Sequence, residues 1–261
     1  MRFPRISVSG FLLVAAVAFA ALSIAAPQPA HAASTLNVIY YTMSSSFPDA
    51  NHLCCGTSDN EVESGLGPNG MPILNVLGMT GSPVPTVYDT LTDELTYWDP
   101  ALNSYLTQTG TGTVPLPIAN DSFYPPNGAG LDGDGGTAGF QTAYFYGTLS
   151  APTTETLSFS IGSDDNAFVY INGTIACDDG GVHGNSSVPC TTPTVPEGNN
   201  TIQIFYDDLN TVGAALDFSI TSTDVTTTGS TTVPEPGTWM LLGSGVFALL
   251  LAGRRRLAQG L

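Results

Sequence analysis

The chain is 261 residues long, with 22 acidic residues against 5 basic ones, a formal charge of −17, 42% apolar residues, 29 glycines and 19 prolines. It has no lysine, and Arg2, Arg5, Arg254, Arg255 and Arg256 all lie at the ends, so residues 33–233 hold 21 of the 22 acids and no fixed positive charge. That body cannot replace counter-ions on nucleic acid or supply arginine clamps, Schiff-base lysines or P-loop lysines; its carboxylates must sit in water or borrow a cation, of which calcium is the first candidate.

Residues 1–32 come first. Arg2 and Arg5 precede an apolar run at 11–26, and Ala30-His31-Ala32 offers small residues for cleavage, so a removed secretory signal helix is expected. The mature chain then begins near Ala33, outside the cytoplasm. From there to residue 220, alternation recurs in short runs: Leu36, Val38 and Tyr40; Leu157, Phe159 and Ile161; Phe168, Tyr170 and Asn172 with Val169 and Ile171 between; Ile202, Ile204 and Tyr206; Leu216, Phe218 and Ile220. Each run predicts a strand with a face toward a core. Segments rich in Gly, Pro, Asn and Asp separate them at 65–72, 125–139 and 178–198, and only 87–106 has the makings of helical turns. The expected fold of 33–220 is all-β, an antiparallel β-sandwich with binding loops at its ends. Residues 221–232, mostly Thr and Ser, are expected to be a polar tether without a core.

Among the acids, Asp164-Asp165 stands out, lying where one strand turns into the next. Two carboxylates about 4 Å apart repel by roughly 4 kcal/mol at an effective dielectric near 20. A divalent cation would remove that repulsion; capping a turn by accepting backbone N–H groups is the other use of such a pair. A hard cation wants six to eight oxygens, and further ligands are sought in Asp178, Asp179, Asp207, Asp208 and Asn210. Asp132-Gly133-Asp134-Gly135 has the look of a calcium loop but lacks the distal Glu. His183 and His52 are too few for a zinc or nucleophilic centre, and His183 is expected to pin the Gly180–Gly184 loop by hydrogen bonds. Trp98, Phe123 and Tyr124 are candidates for stacking on sugars or for the core. Cys54, Cys55, Cys177 and Cys190 allow three disulfide connectivities in an exported protein. Strain between adjacent cysteines favours Cys54 and Cys55 each reaching Cys177 or Cys190; Cys177–Cys190 closing its own loop is the rival.

The end of the chain, residues 233–261, contains Val233-Pro234-Glu235-Pro236-Gly237-Thr238-Trp239, an apolar run, then Gly253 and three arginines. It resembles the PEP-CTERM sorting signal of Gram-negative bacteria. That resemblance implies recognition at Pro234, Glu235 and Pro236 by an exosortase, with Arg254, Arg255 and Arg256 as the basic stop. A helix over 237–253 would span roughly 25 Å, short for a bilayer core of about 30 Å, and is expected to anchor the chain transiently in the inner membrane. The positive-inside rule leaves the three arginines in the cytoplasm and the body across the membrane, as the N-terminal signal requires.

Gly162-Ser163-Asp164-Asp165-Asn166-Ala167-Phe168-Val169-Tyr170-Ile171-Asn172-Gly173, followed by Asp179-Gly180-Gly181-Val182-His183-Gly184, resembles the core of the fibro-slime domain, a member of the protective-antigen-type β-sandwich group. Cys177-Asp178 departs from the family's usual pattern just before the second motif. In the group's lectin members a corresponding Asp-Asp pair binds calcium, which in turn holds sugar hydroxyls; the resemblance implies this for Asp164 and Asp165. Asp179, Asp207 and Asp208 join them as candidate metal ligands, with Asn166, Asn172, Gly180, Gly181, His183 and Asn210 as candidate ligand-binding residues. The expected protein is not an enzyme. It is an exported carbohydrate-binding or adhesion module of the Gram-negative cell surface or exopolysaccharide matrix, using calcium and processed by exosortase. A structural matrix protein without sugar binding, or a glycoside hydrolase with two carboxylates about 5–9.5 Å apart, are the alternatives.

Overall fold

Alternation in the sequence becomes sixteen strands among the described residues: β1 (Thr35–Met43), β2 (Gly56–Asp59), β3 (Val62–Leu66), β4 (Pro72–Leu74), β5 (Thr80–Gly81), β6 (Leu106–Pro115), β7 (Phe140–Ala151), β8 (Glu155–Thr156), β9 (Phe159–Asp164), β10 (Asn166–Ile171), β11 (Thr174–Val182), β12 (Ser186–Val188), β13 (Thr194–Val195), β14 (Gly198–Asp207), β15 (Ala215–Ile220) and β16 (Thr226–Thr228). The computed structural model describes residues 34–50, 56–81, 84–119, 139–188, 190–210 and 213–229. The expected signal at 1–32, the sorting tail at 233–261, and His52, Cys54, Cys55, Phe123, Tyr124, Asp132 and Asp134 lie outside them. Among the described residues no helix is long and apolar enough to cross a membrane.

Pairing is antiparallel throughout. One large sheet follows the path β4-β3-β11-β10-β14-β7-β1-β6, with β16 beside β7, and with β2, itself paired to β5, beside β11. β12-β9-β15 form a separate three-stranded sheet, and β13-β8 a two-stranded one. The central strands are buried on both faces, which is why β10 reads as a nearly continuous apolar run. Ala167, Val169 and Ile171 turn to one side, where Ile161, Leu216 and Phe218 of the three-stranded sheet close the sandwich over them. Phe168 and Tyr170 turn to the other, beneath the loop-rich stretch between β1 and β6, which supplies Phe47, Tyr97 and Trp98.

Trp98 belongs to this second core and is not a sugar platform. It is 1% exposed, its Nε1 donates to the Tyr206 carbonyl at 2.8 Å, and its ring meets Phe205 edge-on at 5.1 Å. The turns expected over 87–106 are present as two isolated ones, closed by the Asp93 N–H on the Asp89 carbonyl at 2.7 Å and the Asn103 N–H on the Asp99 carbonyl at 3.0 Å, and neither extends into a helix. Asp89 and Asp99 side chains accept the N–H groups of Leu91 and Ala101 two residues on, the turn chemistry that competes with a helix. Extended bridges tie Glu94 to Ile73 and Leu95 to Tyr88. The tether expected at 221–232 also begins too early: β16 adds Thr226–Thr228 to the edge of β7 opposite Ser150, Leu149 and Thr148, and Val225 and Thr227 are buried. A Thr-rich stretch composed like a linker is equally suited to strand, because β-branched residues pack well on a pleated surface.

Cys177 bonds Cys190, their Cα atoms 4.7 Å apart, so the favoured expectation that Cys54 and Cys55 reach this pair is corrected. The cause is local. Thr191 donates both its N–H and its hydroxyl to the Ala176 carbonyl, at 2.9 and 3.0 Å, which returns the chain after β12 to the flank of β11. Replacing both cysteines by serine is expected to destabilise the domain by about 2 kcal/mol, the low end for such a loop because β11 stays paired on both sides. Thermal unfolding with and without reductant measures it, and equal melting temperatures for wild type and variant would contradict it.

Candidate functional site

Between β9 and β10 the chain turns directly from the three-stranded sheet into the large one. β9 ends at Asp164, β10 begins at Asn166, and Asp165 is the link; the Asp164-Asp165 peptide is cis. β14 pairs with β10 so that Asp207 lies opposite Asn166, which brings the next residue, Asp208, to the same rim. One carboxylate oxygen from each of Asp164, Asp165 and Asp208 lies within 4.8 Å of the other two. Oxygens bound to one calcium at about 2.4 Å can be no more than about 4.8 Å apart, so the three fit a single hard cation.

The surroundings hold the carboxylates in place without neutralising them all. Asp165, 1% exposed, accepts the His183 N–H at 2.9 Å and the Leu209 N–H at 2.7 Å, one on each oxygen. Asp208 donates its own N–H to the Gln141 carbonyl at 2.9 Å and accepts the Asn210 N–H at 3.2 Å; its Oδ2 is buried without a hydrogen-bond partner. Tyr206 donates its hydroxyl to the Asp164 carbonyl at 2.9 Å. Gly213, at φ 77°, brings the loop before β15 so close that a Cβ there would stand 2.6 Å from Asp164 Oδ2.

Burial pushes the Asp164 carboxyl up to about 6, against the pull of its bond with Asp165 and of His183. Burial also lifts Asp165 to about 7, opposed by the Leu209 N–H and reinforced by the Asp164 charge. Asp208 is raised well above the ordinary carboxylate range by burial and then by Asp165. These shifts describe anionic oxygens short of positive charge.

Among the described residues, His183 has the partners to hold a positive charge. The His183 Nε2 lies 3.2 Å from Asp179 Oδ1 and its Nδ1 lies 3.2 Å from the Gly184 carbonyl. Burial works against its charge, but Asp179 and that carbonyl overcome it and raise the imidazole to about 9. The ring pins its loop, as expected, and also supplies countercharge that composition alone had assigned entirely to imported ions.

The remaining candidates are not brought into the three-carboxylate cluster. Asp179 accepts the Ser163 N–H and hydroxyl, at 3.0 and 2.7 Å, besides facing His183, so its oxygens are spoken for. Asp178 turns to the opposite side of β11, where it accepts the Val62 N–H at 3.1 Å. Asp207 accepts the Asn166 side-chain N–H at 3.0 Å, and burial raises it well above its ordinary value. Asn166 spends its carbonyl on the Gly181 N–H at 2.6 Å, so it ties β10 to β11 and is no free ligand. Asn172 is corrected outright. It occupies the β10–β11 turn at φ 51°, bonded to Asn200 and Thr201, about 20 Å along the strand from Asn166. Gly180 and Gly181 serve close packing: a Cβ on Gly181 would collide with the Gly56 carbonyl of β2, and one on Gly180 would stand 2.7 Å from Glu61. Asn210 stays at the rim through its bond to Asp208. Sequence reasoning missed Leu209, Tyr206 and Gly213: Leu209 contributes only its backbone N–H, Tyr206 reads as one more core-facing residue of its strand, and Gly213 looks like any turn glycine.

No curated protein matches the chain in sequence. Three similar solved structures are a PA14 sugar-binding domain from an RTX adhesin, the PA14 domain of the antifreeze protein MpAFP and a family 35 carbohydrate-binding module. The first is 13% identical over 76% of this chain and 96% of that one, with a TM-score of 0.34. The second is 16% identical over 79% and 90%, with a TM-score of 0.32. The third is 19% identical over 34% and 72%, with a TM-score of 0.26. The PEP-CTERM protein-sorting motif matches residues 232–256, and it marks the chain as exported to the cell envelope or surface and processed by exosortase.

Proposed function

We propose that this exported domain binds carbohydrate of the cell surface or exopolysaccharide matrix through a calcium ion held by Asp164, Asp165 and Asp208. The observation that carries the reading is the meeting of those three carboxylates at the rim where the two sheets join, with one buried oxygen of Asp208 left without a hydrogen-bond partner. A bound calcium would supply open coordination positions for vicinal sugar hydroxyls, which are hard oxygen ligands like the carboxylates themselves. This chain's residues hold and orient: Leu209 and His183 fix Asp165 by their backbone N–H groups, and Gly213 lets the neighbouring loop come close to Asp164. The sequence resemblance of 162–184 to the fibro-slime core supports the same reading. The role is binding, and no bond-breaking step is assigned to any acid.

A glycan array tests it. Retention in 1 mM calcium, lost in EDTA and reduced by about a hundredfold in Asp208→Asn, is the expected result, since a hard-cation site without its buried carboxylate loses most of its affinity. A blank array, from a protein that still co-purifies with extracellular polymer, would favour a purely structural matrix role. Release of reducing ends from polysaccharide would favour a hydrolase.

A further inference from the structure

The outer face of the three-stranded sheet begins at the candidate metal site and carries only small or polar side chains. Strand pairing sets its rows. Asp164 stands opposite Ala215; Gly162 lies between Ser187 and Asp217; Ser160 stands opposite Ser219. The alternate residues Ile161, Leu216 and Phe218 point inward to the sandwich core, so the pleat sends every bulky side chain of these strands away from the outer face. A trough of about 350 Å³ results, with Pro117 and Ile118 as one wall; Ile118 is fixed there by two backbone bonds with Phe218, at 2.9 and 3.0 Å. It adjoins a second hollow of about 240 Å³ that shares Pro117 and Ser219 with it and reaches Ser222 and Val225.

The floor is built for hydroxyl groups. Asn185 lies down across Gly162, where a Cβ would stand 2.7 Å from its Oδ1, and donates to Asp217 Oδ2 at 2.7 Å. That pairing orients the Asn185 amide and leaves its carbonyl and second amide hydrogen for ligand hydroxyls. The Asn185 backbone N–H meanwhile bonds the Asp164 carboxylate, so one residue joins metal site and trough. Farther along, Ser160 and Ser219 place their hydroxyls 3.0 Å apart. From Asp164 to Ser160 is about 13 Å along the strand, the reach of several linked sugars and more than one ring. Charge narrows the class further. The body has no lysine or arginine, and the one titratable group on this floor beyond Asp164 is Asp217, so an acidic polymer is repelled along the trough.

We propose that the outer face of the β12-β9-β15 sheet is an extended ligand subsite that takes a neutral oligosaccharide chain whose terminal residue sits at Asp164, Asp165 and Asp208. This rests on the calcium-dependent sugar reading above and sharpens it from a single sugar to a chain.

The test is the full domain in 1 mM calcium on an array of neutral hexose oligosaccharides from one to five units long, beside uronate oligomers of the same lengths. Binding is expected to tighten by about tenfold or more between one and three neutral units, with no such gain for uronates. Ser160→Trp and Ser219→Trp, which fill the trough from an exposed and a half-buried position, are expected to erase the gain and to leave both single-sugar binding and the calcium-induced rise in melting temperature intact; Asp217→Ala, which removes the partner that orients Asn185, is the smaller change that should weaken it partway. Equal affinity at all lengths, or a gain that survives the tryptophan variants, overturns the trough while leaving the metal site standing. No saccharide bound at any length overturns both readings, and the calcium melting shift then reports on the metal site by itself. A face that instead seats a second copy of the chain shows a concentration-dependent dimer, broken by the tryptophan variants, with no length gain, and this too overturns the proposal.

Discussion

Ten millimolar calcium is expected to raise the melting temperature of the mature domain by about 5–11 °C, and EDTA to reverse it. The figure follows from linkage: a ligand at a hundred times its dissociation constant adds about 2.7 kcal/mol to the folded state, and extracellular calcium sites commonly bind near 10⁻⁴ M. One kilocalorie moves the midpoint of a domain this size by roughly 2–4 °C. Asp164, Asp165 and Asp208 meet within 4.8 Å, so removing any one should be felt. Asp208→Asn keeps the shape and removes the charge of the carboxylate with the unpartnered buried oxygen, and it should abolish the shift. The shift should also be larger at pH 8 than at pH 5, because burial holds protons on Asp165 and Asp208 that the metal must displace. Identical melting curves for wild type with calcium and with EDTA would remove the metal from the account.

With EDTA present, the domain is expected to be most stable near pH 5 and to weaken steadily toward pH 8, unlike most proteins. Glu61 is 1% exposed, and burial, then the Asp178 charge, lifts its carboxyl from 4.5 to about 8. Asp178 is itself pushed up to about 7, first by burial and then by Asp179. A carboxyl that holds its proton more tightly folded than unfolded makes the folded state the more protonated one between those two values, so stability falls as pH rises through the window. The shift at Glu61 alone corresponds to on the order of 4 kcal/mol, or on the order of 10 °C. His183 acts in the same direction. Its folded value is raised from 6.5 to about 9, so its contribution is complete below about pH 6.5 and is lost as pH climbs through about 9. The groups facing Glu61 are Asp178, Asp49, Ser58 and His183, and none but His183 is cationic. Glu61→Gln should therefore raise the melting temperature at pH 8 and leave pH 5 almost unchanged. A wild-type curve flat from pH 5 to 8 in EDTA would show that folding does not raise these carboxyls.

The doubled aspartate was legible because two adjacent carboxylates with no lysine or arginine in reach are costly wherever they sit. Asp208 was not separable from its neighbours. Asp178, Asp179, Asp207 and Asp208 look alike as residues in polar surroundings, and the choice among them follows from strand neighbours and pleat. β14 beside β10 brings Asp208 to the rim, and alternation along β11 sends Asp179 to Ser163 and His183 but Asp178 to Val62. The importance of His183 as countercharge was equally hidden, since a histidine is a cation only where its partners make it one.

By itself the sequence determined that the chain is exported, that its body is a β-protein, and where its doubled acid lies. Those follow from local properties, an apolar run or its alternation, a Pro-Glu-Pro triplet, and charge count, which need no partner from elsewhere in the chain. Tertiary structure alone decided which strands share a sheet, that Cys190 returns to Cys177, that Thr226–Thr228 joins the edge of β7, and which third carboxylate completes the cluster. Each of those depends on residues far apart in sequence meeting across an antiparallel ladder, and period-two alternation is the same for every strand, so it states that a strand pairs without stating with which.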